Sequence, residues 1–112
     1  MGLKIYGLRK CSTCQKAVAE LEAAGHKVDF RDVAEAPLSD TERAELLALF
    51  GERLRNRASL TWRAMSEAER VAPIDAQLAA RPALMKRPAI LAGDQHLLGW
   101  TANVKRALGR AA

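Results

Sequence analysis

Aromatic side chains are almost missing from this chain. Two Phe, two Trp and one Tyr make up 4% of its residues, so a core has to be assembled from Leu, Val, Ile and Ala. The shortage also argues against a nucleic-acid surface, where basic and aromatic residues interleave. Cysteine and histidine are as rare, with two of each. A disulfide-stapled scaffold is thereby excluded. A zinc site would need Cys11, Cys14, His26 and His96 together, and the histidines lack ligand spacing. No apolar run approaches the roughly 20 residues that span a bilayer. The segment Met1-Gly2-Leu3-Lys4-Ile5-Tyr6 lacks the apolar stretch and cleavage site of a signal peptide. A cytoplasmic protein is expected, and in that reducing compartment two close cysteines suggest redox chemistry more than a structural bridge.

What is present is an ordinary globular mixture. Apolar residues make up 49% and charged residues 28% of 112 positions, and that length suits one domain, 1–112, expected as a monomer. Lys and Arg exceed Asp and Glu by five. These cations are scattered, which suits a solvated basic surface facing a small anionic substrate or an acidic partner.

Hydrophobic periodicity changes along the chain. Leu3 to Tyr6 alternates as a short strand. Cys14, Ala17, Val18 and Leu21 then fall at i, i+3, i+4 and i+7, one face of a helix that Gly25 ends. Lys27 to Arg31 alternates again with Val28 and Phe30 on one side, completing a βαβ unit with a parallel pair. The middle is helical. Ser39 with Glu42 forms a capping box ahead of Ala44, Leu46, Leu47 and Phe50, and Ser66 with Glu69 forms another. Pro73 to Arg81 reads as a further helix stopped by Pro82. Ala89 to Ala92 and His96 to Leu98 form a hairpin about Gly93-Asp94-Gln95, and Thr101 caps a last helix running to Gly109. The expected fold is α/β: a small mixed sheet from N-terminal βαβ and C-terminal ββα units, with a helical insertion at about 39–82.

Cys11 and Cys14 stand three residues apart where a loop enters a helix. The unpaired N–H groups and positive pole of that helix end favour thiolate over thiol. The neighbouring cations Arg9, Lys10 and Lys16 are expected to add to this. Cys11 is then the nucleophile, and Cys14, one turn further in, is suited to resolving an adduct formed on Cys11. Trp62 and Trp100 are expected as core anchors. His26, just past Gly25, is expected at the surface, and His96 has no evident partner.

Several segments, in order and suitably spaced from about Leu3 to Leu108, together resemble the arsenate reductase (ArsC)/Spx family. They are Ile5-Tyr6-Gly7-Leu8-Arg9-Lys10-Cys11-Ser12-Thr13-Cys14-Gln15-Lys16-Ala17, Arg53 to Arg63, Met85-Lys86-Arg87-Pro88-Ala89-Ile90-Leu91 and Leu97-Leu98-Gly99-Trp100. The mid-chain segment is most similar to the small arsenate-reductase-like members. The resemblance implies a thioredoxin-like fold with a helical insertion and a cis proline at Pro88. It implies thiol-dependent reduction with no bound cofactor: Cys11 attacks the substrate, arginines hold an oxyanion, and glutathione or glutaredoxin regenerates the thiol. Arg87 carries over as an anion ligand through its Arg-Pro pair, with Arg57 and Lys10 as further substrate-binding cations.

Two departures separate the chain from arsenate reductases proper. The mid-chain arginine of many relatives falls at Ala58, leaving Arg57 displaced by one, and Leu97-Leu98-Gly99-Trp100 stands where a third arginine follows the hairpin. Each lost charge-assisted donor removes about 1.5–3 kcal/mol of anion binding, which weakens a hold on arsenate; the expected substrate is arsenate or another small oxyanion or thiol. The alternative is an Spx-like regulator that binds RNA polymerase and uses the Cys pair as a redox switch. The Thr61-Trp62-Arg63 and Leu98-Gly99-Trp100 segments are closer to the reductase-like branch.

Overall fold

The computed structural model describes residues 2–109. Among them the chain forms β1 (Gly2–Gly7), α1 (Ser12–Ala23), β2 (Lys27–Asp32), α2 (Asp40–Phe50), α3 (Leu60–Arg63), α4 (Glu67–Val71), α5 (Ile74–Ala80), β3 (Ala89–Ala92), β4 (Gln95–Leu98) and α6 (Ala102–Gly109), with 3-10 turns at Gly51–Leu54 and Pro82–Leu84. The backbone gathers into two compact units, residues 1–32 with 87–112 and residues 33–86. The second unit is the helical insertion, wider at both ends than the capping signals suggest.

In the first unit β1 lies inside a four-stranded sheet of order β2-β1-β3-β4. It pairs in parallel with β2 from Gly2 opposite Lys27 to Gly7 opposite Asp32, and antiparallel with β3, where Ile5 faces Ile90. β3 and β4 form the hairpin. Alternation puts Leu3 and Ile5 on one face. There they join Ile90, Leu21 of α1, and Val104 and Leu108 of α6 in a single apolar cluster, edged by Val18, Val28, Phe30 and Trp100. Gly25 ends α1 with φ +94°, a left-handed turn that a side chain resists. Thr101 starts α6, its hydroxyl accepting from the Val104 N–H at 3.3 Å. As expected, Cys14, Ala17 and Leu21 form the buried face of α1.

The second unit is built from short, well-capped helices. Both capping boxes are present: Ser39 and Glu42 at α2, Ser66 and Glu69 at α4. Leu46, Phe50, Leu54, Met65, Leu78, Leu84 and Met85 are buried. Burial in α2 differs from its apolar pattern, because Arg43 is enclosed while Ala44 is exposed. The Arg43 guanidinium ion-pairs with Asp40 and with Asp75 at 2.9 Å, and donates to the Leu38 carbonyl at 3.0 Å. A buried cation so satisfied does not carry the cost of an unpaired one.

Gln77 does the equivalent for uncharged groups. It is 2% exposed, and its amide N–H groups reach the carbonyls of Glu69, Arg70 and Ala72 at 2.9–3.0 Å. They lie at the end of α4, where Glu69 also accepts from the Ala72 N–H at 3.3 Å. The helix α3 is one turn long and has no hydrophobic repeat to announce it. Ser59 caps it by accepting from the Trp62 N–H at 3.1 Å.

Trp62 corrects an expectation. It is only half-buried and is not part of a core. The guanidinium groups of Arg55, Arg57 and Arg70 lie 5.1, 5.4 and 5.4 Å from its ring centroid. Trp100 does edge the core cluster of the first unit, with its indole N–H directed at Glu20.

Candidate active site

The loop after β1 is tied down before it reaches the first cysteine. The Cys11 N–H closes a turn onto the Leu8 carbonyl at 3.0 Å. Inside the turn, the Arg9 N–H donates to Asp32 Oδ2 at 2.8 Å, and the Arg9 carbonyl accepts from Gln15 Nε2 at 2.6 Å. Asp32 is buried, and Arg9 lays its guanidinium across Phe30, 5.8 Å from the ring centroid. Neither Asp32 nor Gln15 stood out in the sequence. The signal was available for one of them: Asp32 follows Val28 and Phe30 at the period of a strand, so a carboxylate closes an apolar face.

That clamp sets Cys11 at the cap position of α1, in extended conformation and half-buried. The thiol itself makes no regular capping bond. Burial opposes ionisation of Cys11. The N–H of Cys14, the thiol of Cys14 and the guanidinium of Arg87 outweigh it, each favouring the thiolate by hydrogen bonding and Arg87 also by its charge, so the Cys11 pKa is lowered. Arg87 precedes buried Pro88 through a cis peptide, and the Pro88 carbonyl accepts from Gly99 N–H at 2.8 Å. The cations expected to act on Cys11 are therefore replaced by one from 76 positions further along the chain. Lys10 and Lys16 are exposed and take no part in its ionisation.

Cys14 is the opposite case. It is 1% exposed, and burial pushes its thiol from the ordinary 9.0 up to about 11. The charge and hydrogen bonding of Cys11 push the same way, against the Leu8 backbone and Arg87. Its sulfur is packed against the backbone of β1: a Cβ placed on Gly7 would lie 2.5 Å from Cys14 Sγ. Only glycine fits there without displacing the sulfur.

The structure thus brings Cys11, Cys14 and Arg87 together, beside Pro88. Lys10 makes no such contact. Arg57 lies in the second unit, on Trp62. His26 is half-buried rather than at the surface, with Nε2 enclosed and unbonded among the described residues. His96 is exposed. Among the described residues no three His, Cys, Asp or Glu side chains are placed to hold a metal ion, and no helix is long and apolar enough to cross a membrane.

Comparison with known proteins gives a consistent picture. The ArsC family model matches residues 6–108. A solved structure of a YffB protein is similar with a TM-score of 0.83 at 26% identity, covering 95% of this chain and 97% of that one. An arsenate reductase (ArsC) related protein from Brucella melitensis gives 0.74 at 28% identity over 96% and 93% of the two chains. A protein from Streptococcus mutans described as a possible arsenate reductase gives 0.71 at 25% over 94% and 97%. None of the curated proteins matches this chain in sequence. The mixed four-stranded sheet with its helices is the thioredoxin-like fold of that family.

Proposed function

The chain belongs to the ArsC family, and we propose that it is a cytoplasmic, monomeric thiol-dependent reductase linked to glutathione or glutaredoxin. The observation that carries this reading is the pairing of opposite thiols: Cys11 favoured as thiolate beside Arg87, Cys14 enclosed as thiol. The substrate class is a small oxyanion or a thiol mixed disulfide. Of the cations expected at the substrate, the anion falls to Arg87, whose planar fork suits a tetrahedral oxyanion or a carboxylate.

With a mixed disulfide as substrate, the Cys11 thiolate attacks one sulfur, its S–S bond breaks, and the departing thiolate takes a proton. Cys11 is then a neutral disulfide. The charge and the hydrogen bonding that raised the Cys14 pKa disappear with the thiolate, although burial remains. Resolution thus becomes easier only after the first step: Cys14 loses its proton, attacks Cys11 Sγ, and the second thiolate leaves. Two glutathione molecules, oxidised to their disulfide, return the pair to thiols.

The test is glutathione-dependent turnover of a glutathionylated peptide and of arsenate by the parent protein, Cys11→Ser and Cys14→Ser. Cys11→Ser should be inactive, and Cys14→Ser slowed at the resolution step with accumulation of a Cys11 adduct. Full turnover by Cys11→Ser would overturn the proposal.

A further inference from the structure

A groove of about 370 Å³ lies between α1, β2 and the loop after β1, and the thiol chemistry makes no use of it. Small-molecule sites run to roughly 300–1,000 Å³. Its lining is apolar at Leu8, Val18, Ala19 and Phe30, none of them fully buried, so this surface meets water. The groove starts at the cysteines: Cys14 lines it, as does Leu8, whose carbonyl holds the Cys11 N–H at 3.0 Å. Exposed side chains of opposite charge mark its two ends. Arg9 stands at the end next to Cys11, where its carbonyl takes the Gln15 amide. Glu22 lies seven positions beyond Gln15, about 10 Å down the same side of the helix. Next to the groove, β2 pairs with β1 alone, and from Lys27 to Phe30 its outer edge faces no strand among the described residues. All of these residues belong to the first unit.

We propose that this groove seats an extended polypeptide whose cysteine is held in a mixed disulfide with a small thiol. The proposal rests on the reductase reading and narrows its substrate class, because a small oxyanion would leave the groove empty. An extended chain advances about 3.3 Å per residue, so about three residues carry it from Arg9 to Glu22. Side chains two apart share a face, which puts an apolar residue two positions from the cysteine into the groove. Glu22 selects a basic residue just beyond it, and Arg9 disfavours one beside the sulfur. The open edge of β2 offers backbone groups to the same segment, as in recognition by strand addition. In the reaction Cys11 Sγ bonds to the sulfur of the polypeptide cysteine, the bond to the small thiol breaks, and that thiolate leaves and takes a proton from water. Cys14 then displaces the polypeptide thiol from Cys11, and glutathione returns the pair to thiols as above.

The test uses glutathionylated peptides of sequence Cys-Ser-Leu-Lys, Cys-Ser-Gly-Lys and Cys-Ser-Leu-Glu, with blocked termini, each also made in reversed order. In one chain direction the full protein should reduce the leucine peptide with roughly tenfold higher kcat/KM than the glycine peptide. At low salt lysine should be favoured over glutamate about two- to threefold. Ala19→Trp fills the groove from an exposed helix position and should erase the leucine preference, and Glu22→Lys should reverse the charge preference. Equal rates for the leucine and glycine peptides in both directions, or a leucine preference that survives Ala19→Trp, overturns the proposal. A second measurement needs no turnover: the S-methylcysteine form of the leucine peptide is titrated into the protein and followed by amide NMR. Saturable shifts at Val18, Ala19, Glu22 and Phe30 are expected, and their absence overturns the proposal. Such shifts in a protein that reduces none of the peptides would keep the groove as a peptide site and refute the reductase reading instead.

Discussion

Replacing Arg87 with Met would test the physical basis of Cys11 reactivity more sharply than removing either cysteine. The substitution keeps an unbranched side chain of similar reach and deletes the charge and the hydrogen bond that the thiolate draws on. A hydrogen bond to a charged group contributes about 1.5–3 kcal/mol. Cys11 is half-exposed, so solvent screening trims this toward the lower end, about 1.4 kcal/mol, equivalent to a tenfold change in ionisation. The sign is unambiguous, because a cation favours the anion and its loss raises the Cys11 pKa. The assay is the rate of iodoacetamide alkylation against pH, in a Cys14→Ala background so that only Cys11 reports. At mildly acidic pH the Arg87→Met protein holds about tenfold less thiolate, but each thiolate is about threefold more reactive, so its rate should be about threefold below the parent. At high pH, where both proteins are fully ionised, the order should reverse. A thiolate of higher pKa is intrinsically the better nucleophile, with a Brønsted slope of about 0.4–0.5, giving a roughly threefold advantage. The two profiles must cross. Profiles that superimpose, or that run parallel at all pH values, would refute the assignment of Arg87 as the partner of Cys11.

The raised pKa of Cys14 makes a stability prediction of opposite pH sense. The unfolded thiol ionises near 9.0 and the folded one near 11, so the folded state loses stability as pH rises between them, by about 2 kcal/mol. Urea unfolding should show that decline in the parent and a flatter profile in Cys14→Ala. Gly7→Ala should destabilise the protein by about 1–3 kcal/mol, because its new methyl lands 2.5 Å from Cys14 Sγ. Chemical denaturation should find the cost largely relieved in Gly7→Ala/Cys14→Ala, and additive costs would show that the two sites do not touch. Gln77→Leu keeps the volume but removes the Gln77 amide from the Arg70 and Ala72 carbonyls, while Glu69 keeps its bond from the Ala72 N–H, a loss of about 2–4 kcal/mol in the same measurement. A change below 0.5 kcal/mol, the scale of an ordinary surface substitution, would mean that water replaces it.

Much of this organisation is written locally in the chain. A capping box needs only residues three apart, so Ser39 with Glu42 and Ser66 with Glu69 were legible, as were the strand–helix alternation and the placement of Cys11 and Cys14 at a helix entrance. What escaped was decided by distant partners. Arg43 occupies an inward position of α2 because Asp75, 32 residues away, answers its charge, and no periodicity shows that. Nearness in sequence points to Arg9, Lys10 and Lys16 as the field on Cys11. Its actual source, Arg87, was marked as a site residue only through the Arg-Pro resemblance. Trp62 looked like a core residue because indoles usually are, and the three cations that keep it at the surface come from both sides of it in the chain. Asp32 sits 23 residues from the peptide it holds.

The close approach of Gly7 to Cys14 also fixes a stoichiometry. With its sulfur lodged against a strand backbone and 1% exposed, Cys14 is shielded from bulk solvent, whereas Cys11 is half-exposed. A bulky thiol reagent added to the folded protein should therefore stop at one equivalent per chain, and the second should enter only as fast as the chain unfolds. The slow equivalent is then a clock for global opening, built into the protein without any introduced label.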